Sequence, residues 1–441
     1  MIRGFRKLSV RERSATISDR AHLSEEERTA LFSEATMDLA DVMVESAFGT
    51  FPLPLGLLAE VFIDGEAYSV PMATEEPSVI AAASFAARLI TRNGGFATEV
   101  TDPIMTTQLL IEDPAPEAER RLAERQEEIV TALHPVLASM EKRGGGFRGI
   151  ETRRLDGTGS DSVGSSLPAG ADLSGAPLMV VEIHVDVCNA MGANVLNTAA
   201  ETVRGLVAEI TGGTAVMAIL TNAGRRRLVR TSFRVPVSQL SRGGFDGPEV
   251  ARRLEQAIRF ADLDENRAVT HNKGLMNGVT AVTLATGNDT RAVEAAAHAY
   301  ASRDGRYRSL SRFRREGDSF VGSLELPLAL GTVGGAVGFH PGAQAALRIL
   351  GNPGADALGR IAASVGLAQN LAAMWALVTE GIQLGHMRLH SRRIAWKAGA
   401  RGSDIESVAS VLQNEGVFNI ERARQLLQRA HGEAAGADDE E

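Results

Sequence analysis

Four short segments place chemically capable side chains between glycines or beside apolar runs. Glu75-Glu76-Pro77-Ser78 sets a carboxylate at the edge of the Ala-rich stretch 79–90, where a proline suits the first turn of a helix. Thr270-His271-Asn272-Lys273-Gly274-Leu275-Met276-Asn277-Gly278 isolates one lysine between Asn and Gly residues. An ammonium in a dry site stabilises a developing oxyanion by about 3–4 kcal/mol, so Lys273 is suited to polarising a carbonyl. Ala285-Thr286-Gly287-Asn288-Asp289 precedes a further helix. Near Lys273 and Glu76, Asp289 would complete a trio able to share protons, which acid catalysis near neutral pH requires. Gly385-His386-Met387 supplies a histidine suited to late proton donation.

Each segment also has a plainer reading. Glu76 can simply complement a helix dipole, Lys273 can sit on a surface loop, Asp289 can be an N-cap, and His386 can be structural. His386 and His390 lie one helical turn apart, a spacing that also suits a metal, but no third ligand at a diagnostic spacing accompanies them. No metal is therefore assigned. A fifth segment, Asn189-Ala190-Met191-Gly192-Ala193-Asn194, falls at a strand-to-helix junction, where free N–H groups and the helix dipole can receive a phosphate. No G-x-G-x-x-G follows a strand, so a Rossmann domain is not supported.

The elements that must position these groups read as mixed α and β. Helices are expected over 24–48, 79–90 (closed by Asn93-Gly94-Gly95), 117–133, 189–210, 248–261, 290–303 and 355–383. Clean alternation marks strands at 178–187 and 229–237, the latter with Arg230, Ser232 and Arg234 on its polar side. The stretch 142–175 is rich in Gly and Ser and reads as mobile loop around a short strand. Asp113-Pro114-Ala115-Pro116 reads as a boundary, and 114–225 as a small α/β insert. Ser403-Asp404-Ile405-Glu406 has capping-box spacing, and the acidic end 433–441 reads as disordered.

The 441 residues allow two or three domains. Aromatics at 5% argue for Ala/Val/Leu packing rather than stacking platforms for bases. A net charge of −9 argues against nucleic acid or anionic membrane as partners. Cys188 is the only cysteine, which excludes an intrachain disulfide and fits a reducing cytoplasm. The basic start, 1–10, lacks the apolar run of a signal peptide, and no uninterrupted apolar run approaches the roughly 18 residues of a membrane span. The expectation is a soluble, cytoplasmic protein.

Taken together and in order, Glu76-Pro77-Ser78, Ala190-Met191-Gly192-Ala193-Asn194, His271-Asn272-Lys273-Gly274, Gly287-Asn288-Asp289, Gly334-Gly335 and Gly385-His386-Met387 resemble the hydroxymethylglutaryl-CoA reductases of the bacterial class II type, from Glu45 to about Arg424. The resemblance implies an α/β (α+β) architecture. A large domain (1–113 and 226–383) would bind the CoA thioester, and an inserted ferredoxin-like domain (114–225) the nicotinamide nucleotide. A helical C-terminal flap (384–441) and an active site completed across a homodimer interface, or a larger assembly of dimers, would follow. It implies catalytic roles for Glu76, Lys273, Asp289 and His386. Lys273 would stabilise the oxyanion, and Glu76 would protonate the aldehyde-level oxygen. Asp289 would tune both, and His386 would protonate the departing CoA thiolate. Ser78, Arg267, Asn277 and Gln369 match substrate or cofactor contacts, and Asn189, Met191, Gly192 and Asn194 the cofactor motif.

Some positions depart from the family pattern. Asn189 stands where the family has Asp, and Ser46 follows Glu45 where Asn is usual. These two motivate the alternative of a CoA-binding homologue with weak or lost activity. Arg225-Arg226-Arg227 is unusually basic, which adds Arg225 and Arg227 to the cofactor candidates. His134-Pro135-Val136-Leu137 stands where NADH-preferring relatives have Asp-Pro-Val-Leu. A histidine cannot repel a ribose 2′-phosphate as an acid does, so NADPH is expected to be accepted beside or ahead of NADH. The 157–170 insertion has no functional account.

Overall fold

The computed structural model describes residues 4–155 and 175–437, without the side chains of 382–389 and 430–437. Most of the expected Gly/Ser-rich loop and the last acidic residues lie outside the described residues. Three helices open the chain: α1 (Val10–Ala21), α2 (Glu25–Leu31) and α3 (Glu34–Met43). Ser9 with Glu12, and Ser24 with Glu27, form capping boxes at the first two. The helix expected over 24–48 is thus two helices, parted at Phe32-Ser33.

β1 (Leu55–Ile63) and β2 (Glu66–Ala73) make a hairpin, α4 (Val79–Arg92) follows, and β3 (Phe96–Val100) lies parallel to β1. The chain then leaves this sheet. β4 (Ile104–Glu112), α5 (Ala118–Glu124), α6 (Gln126–Glu141), β5 (Gly146–Leu155), β6 (Leu178–Asp186), α7 (Ala193–Thr211) and β7 (Thr214–Leu220) build an antiparallel sheet in the order β5-β6-β4-β7. This is the ferredoxin-like βαββαβ arrangement. Its helices bury Leu122, Ile129, Leu133, Leu196 and Val203 against Leu109, Val181 and Ile183 of the strands. β8 (Leu228–Pro236) re-enters the first sheet hydrogen-bonded to β3, so the smaller unit is an insertion between neighbouring strands. It takes in β4 and therefore starts ahead of the expected boundary. Asp113-Pro114-Ala115-Pro116 is the link from β4 to α5 within the insert, and the excursion begins at Thr101-Asp102-Pro103.

α8 (Gly247–Leu263), α9 (Glu265–Ala285), α10 (Thr290–Ala301), β9 (Ser311–Glu316), β10 (Ser319–Pro327), α11 (Pro341–Ile349) and α12 (Ala355–Val378) complete the larger unit, whose sheet runs β2-β1-β3-β8-β10-β9. α13 (Ile382–Lys397), α14 (Ser403–Glu415) and α15 (Ile420–Ala437) close the chain around a small core of Ile394, Val408, Leu412 and Ala423. The capping box expected at Ser403 does not form. Gly402 is the N-cap of α14, and Glu406 pairs with Arg392 of α13 at 3.0 Å instead.

Helix α9 is the main surprise, because Asn272, Gly274, Asn277 and Gly278 all lower helix propensity. Tertiary packing overrides that preference. A Cβ at Gly278 would lie 2.9 Å from the carbonyl oxygen of Val365, and one at Gly366 would lie 2.5 Å from Cγ2 of Val279. The small residues therefore let α9 and α12 approach closely. α12 is long and apolar enough to cross a membrane by composition, but 78% of its apolar window is buried inside the protein. Its apolarity belongs to the core, where Leu358, Ile361, Val365, Leu371 and Trp375 are buried, each worth about 1.5–3 kcal/mol.

This seam yields a paired test. Gly278→Ala forces α9 from α12 and should destabilise by about 1–3 kcal/mol. A Cβ at Gly274 meets nothing within 4 Å, so Gly274→Ala should be neutral or stabilising by up to about 1 kcal/mol. Denaturant midpoints of the two variants should move in opposite directions or differ clearly.

Candidate active site

A cavity of about 560 Å³ opens between the start of α4, one face of α9 and the end of α12. Glu76, Ser78, Arg267, Lys273, Asn277 and Gln369 all line it. Glu76 and Lys273, 197 positions apart, meet at 2.8 Å between Oε2 and Nζ. The lysine side chain is 60% exposed and the glutamate 35%, so the pair adds little to stability. Its arrangement serves chemistry: an ammonium and a carboxylate face the same space.

The neighbouring residues are poised for a ligand. Arg267 is half-buried, its guanidinium donates only to Sδ of Met374, at 3.2 Å, and no carboxylate pairs with it among the described residues. Burial holds its pKa below the ordinary arginine value, which marks a cation ready for an anionic partner. Ser78 adopts a left-handed φ of 77° as N-cap of α4 and makes no capping bond. Its Oγ is buried without a partner among the described residues, as are Gln369 Oε1 and His271 Nδ1. Strained backbone and orphaned polar atoms on one cavity wall are how a site keeps binding groups in reserve.

Beneath the wall, His271 is fixed by a closed chain of bonds. Asn370 Nδ2 donates to the His271 carbonyl and Ser311 Oγ donates to Asn370 Oδ1. Ser311 Oγ must then accept from His271 Nε2, at 2.7 Å. Burial, with the Arg267 charge second, pulls the imidazole pKa down to about 3. His271 is thus a neutral structural residue that locks α9 to α12.

One expected catalytic residue, Asp289, makes no bond with the pair. Asp289 is the N-cap of α10, accepting from the amides of Arg291 and Ala292 at 2.9 and 3.2 Å. From Lys273 to Ala285 the chain is continuous helix, about 18 Å of rise, and Asp289 lies beyond its end, bonded to the start of α10. His386 falls on α13, and its side chain lies outside the described residues. α13 starts at the cavity rim, where Glu380 and Gly381 are lining residues, and its Arg393 donates to the Glu75 carbonyl at 2.9 Å.

The sequence reading missed Arg242. It lines the cavity, stacks 4.6 Å from the Phe85 ring centroid and pairs with Glu380 at 3.2 Å. The only local signal was Gly243-Gly244, both at positive φ.

The fifth segment lies where the strand-to-helix reading put it. Gly192, at φ 102°, is the N-cap of α7, and no side chain caps that start, so its first N–H groups are free. Met191 is half-buried and Asn194 exposed. Asn189 turns the other way: its Oδ1 accepts from Ala355 N at 2.9 Å, at the first turn of α12. Arg227 is a correction in role. It is 4% exposed and donates to the carbonyls of Ala190 and Leu330, and burial brings its pKa down to about 10. It clamps the junction from behind rather than facing a ligand. Arg225 is exposed ahead of β8. His134 lies exposed on α6, with Nδ1 2.7 Å from Oε2 of Glu141.

A lysine–carboxylate pair beside a guanidinium that meets no carboxylate among the described residues, with an uncapped helix start apart from them, is the layout of an enzyme that takes an anionic substrate and a second, phosphate-bearing ligand. The comparisons make this specific. Residues 9–391 match the family model described as hydroxymethylglutaryl-coenzyme A reductase. The 3-hydroxy-3-methylglutaryl-coenzyme A reductase of Archaeoglobus fulgidus is 40% identical over 97% of this chain and 94% of its own. A probable enzyme of that name from Borreliella burgdorferi is 33% identical over 97% and 95%. A Streptococcus pneumoniae reductase structure aligns with a TM-score of 0.72 at 38% identity, covering 98% of this chain and 100% of that one. A structure of the class II enzyme from that organism, bound to NADPH in open conformations, aligns equally well over 95% and 99%. The chain belongs to the hydroxymethylglutaryl-coenzyme A reductase family.

The Arg227 clamp can be tested directly. Arg227→Ala leaves two inward carbonyls without their donor and should destabilise by about 2–4 kcal/mol, seen as a lower denaturant midpoint. Arg225→Ala should leave the midpoint within about 0.5 kcal/mol of the parent.

Proposed function

We propose that this chain interconverts 3-hydroxy-3-methylglutaryl-CoA and mevalonate plus CoA, with NADPH as nucleotide, as a homodimer with active sites shared between subunits. The carrying observation is the Lys273–Glu76 pair beside the unpaired Arg267 in one cavity. Arg267 suits the free carboxylate of the substrate, and the Ser78 hydroxyl stands by for the same end of the molecule. Lys273 then faces the thioester carbonyl and stabilises the oxyanion formed there, worth about 3–4 kcal/mol of barrier. Glu76 carries the proton that the aldehyde-level oxygen takes up. His386, on the helix leaving the cavity rim, protonates the departing CoA thiolate.

The uncapped α7 start fits a dinucleotide pyrophosphate. A reduced nicotinamide held there would supply one hydride, so two NADPH, bound in succession, would be needed to take the thioester through the aldehyde level to the alcohol. Asn189 and the clamped Ala190 carbonyl hold the junction in shape, so losing the family's acid at 189 costs no structural contact. That favours the active enzyme over a homologue that kept only CoA binding. The insertion topology supports β4 to β7 as the nucleotide domain and the six-stranded unit as the thioester domain. Asp289 caps α10 and makes no bond with Lys273 or Glu76 of its own chain, which supports an Asp289 contributed by the second subunit.

Three outcomes follow. Lys273→Ala should lower turnover of the thioester at least about 100-fold while the unfolding midpoint holds; a wild-type rate would sink the assignment. Lys273→Ala and Asp289→Asn chains should each be nearly inactive alone but regain activity on mixing and subunit exchange, because the mixed dimer contains one intact site. No recovery, from dimers shown to be mixed, would place both residues in one subunit's site. His134→Asp should raise KM for NADPH about tenfold or more and spare NADH, because an added carboxylate repels the 2′-phosphate. Unchanged nucleotide preference would put the ribose elsewhere.

A further inference from the structure

We propose that the outer face of the small sheet carries a divalent-cation site made by Glu151 of β5 with Glu182 and His184 of β6, for which Zn²⁺ is the best match. One ligand atom from each residue lies within 4.8 Å of the other two. Glu182 and His184 alternate with Val181, Ile183 and Val185 of the core, so they face away from α6, α7 and the nucleotide junction. This is a site apart from the catalytic cavity.

Three features point to a missing cation. First, Glu151 and Glu182 are direct cross-strand partners, and like charges in that position are destabilising. Second, His184 is only 5% exposed, and its Nε2 is buried with no hydrogen-bond partner among the described residues. That nitrogen lies 3.3 Å from Oε2 of Glu151. Third, each ligand is buttressed from outside. Thr106 Oγ1 meets His184 Nδ1 at 2.9 Å, Gln108 donates to Glu182 Oε1 at 2.7 Å, and Arg226 binds Glu151 Oε1. These contacts occupy Nδ1 and the two Oε1 atoms, and among the described residues leave Nε2 and the two Oε2 atoms without a hydrogen bond. A histidine with its second nitrogen tied, beside oriented carboxylates, is how protein metal ligands are held.

Arg153, 3.6 Å from Glu182, and Arg226 supply the nearby positive charge. Both approach Oε1 atoms and leave the Oε2 side to the cation. One imidazole nitrogen and two carboxylate oxygens suit Zn²⁺, with water in the fourth position. The ion's role would be structural, pinning β5 to β6.

The test uses the full-length protein, stripped with a chelator and titrated with Zn²⁺ by calorimetry, with metal content read by plasma spectrometry. One equivalent should bind and raise the melting temperature. Thr106→Val should weaken binding about 10–100-fold, and His184→Ala or Glu182→Gln should abolish it. Circular dichroism checks each fold, and Glu151→Gln, at an exposed position, replaces any variant that fails. No saturable uptake by the parent protein, or uptake unchanged in His184→Ala or Glu151→Gln, overturns the site. Both outcomes are independent of reductase activity.

Discussion

The close approach of α9 to α12 is the constraint on which the site depends. Gly278 and Gly366 remove the side chains that would hold the helices apart, and the His271–Ser311–Asn370 chain locks their rotation. With that face fixed, Arg267, Thr270, Lys273, Gly274 and Asn277 line one wall of the cavity and Gln369 the adjoining one. The Lys273–Glu76 contact is then a consequence of packing. A pair so exposed could not hold two elements together.

The insertion follows the same economy. β3 and β8 are hydrogen-bonded neighbours, so a whole domain can be threaded between them without disturbing the large sheet. Arg227, at the return point, spends a buried charge on two carbonyls, one beside the α7 start and the other ahead of the 332–335 turn. One guanidinium thus couples the insert to the larger unit. Asn189, bonded to the first turn of α12, repeats that coupling from the other side.

Much of this was legible from residues. The alternation at 178–187 and the Ala-rich run after Pro77 gave β6 and α4 nearly to their ends, because burial on one face leaves a periodic trace. α9 left no such trace, since its asparagines and glycines serve a cavity and a helix seam rather than an amphipathic stripe. Asp113-Pro114-Ala115-Pro116 misled because turn chemistry marks any loop, within a domain as well as between domains. Arg242 was invisible: its partners Phe85, Trp375 and Glu380 are remote in sequence.

By itself the sequence determined which groups are available: one lysine set between an asparagine and a glycine, a carboxylate ahead of a helix, a glycine at a strand-to-helix turn. These are local properties, set by side-chain chemistry and backbone preference within a few residues. Only the tertiary structure decided which of them meet. It joined Glu76 to Lys273, left Arg267 without a carboxylate among the described residues, turned Arg227 inward, and set Asp289 to capping α10. Contact between distant segments is fixed by how whole helices and sheets pack, and no local stretch of residues carries that information.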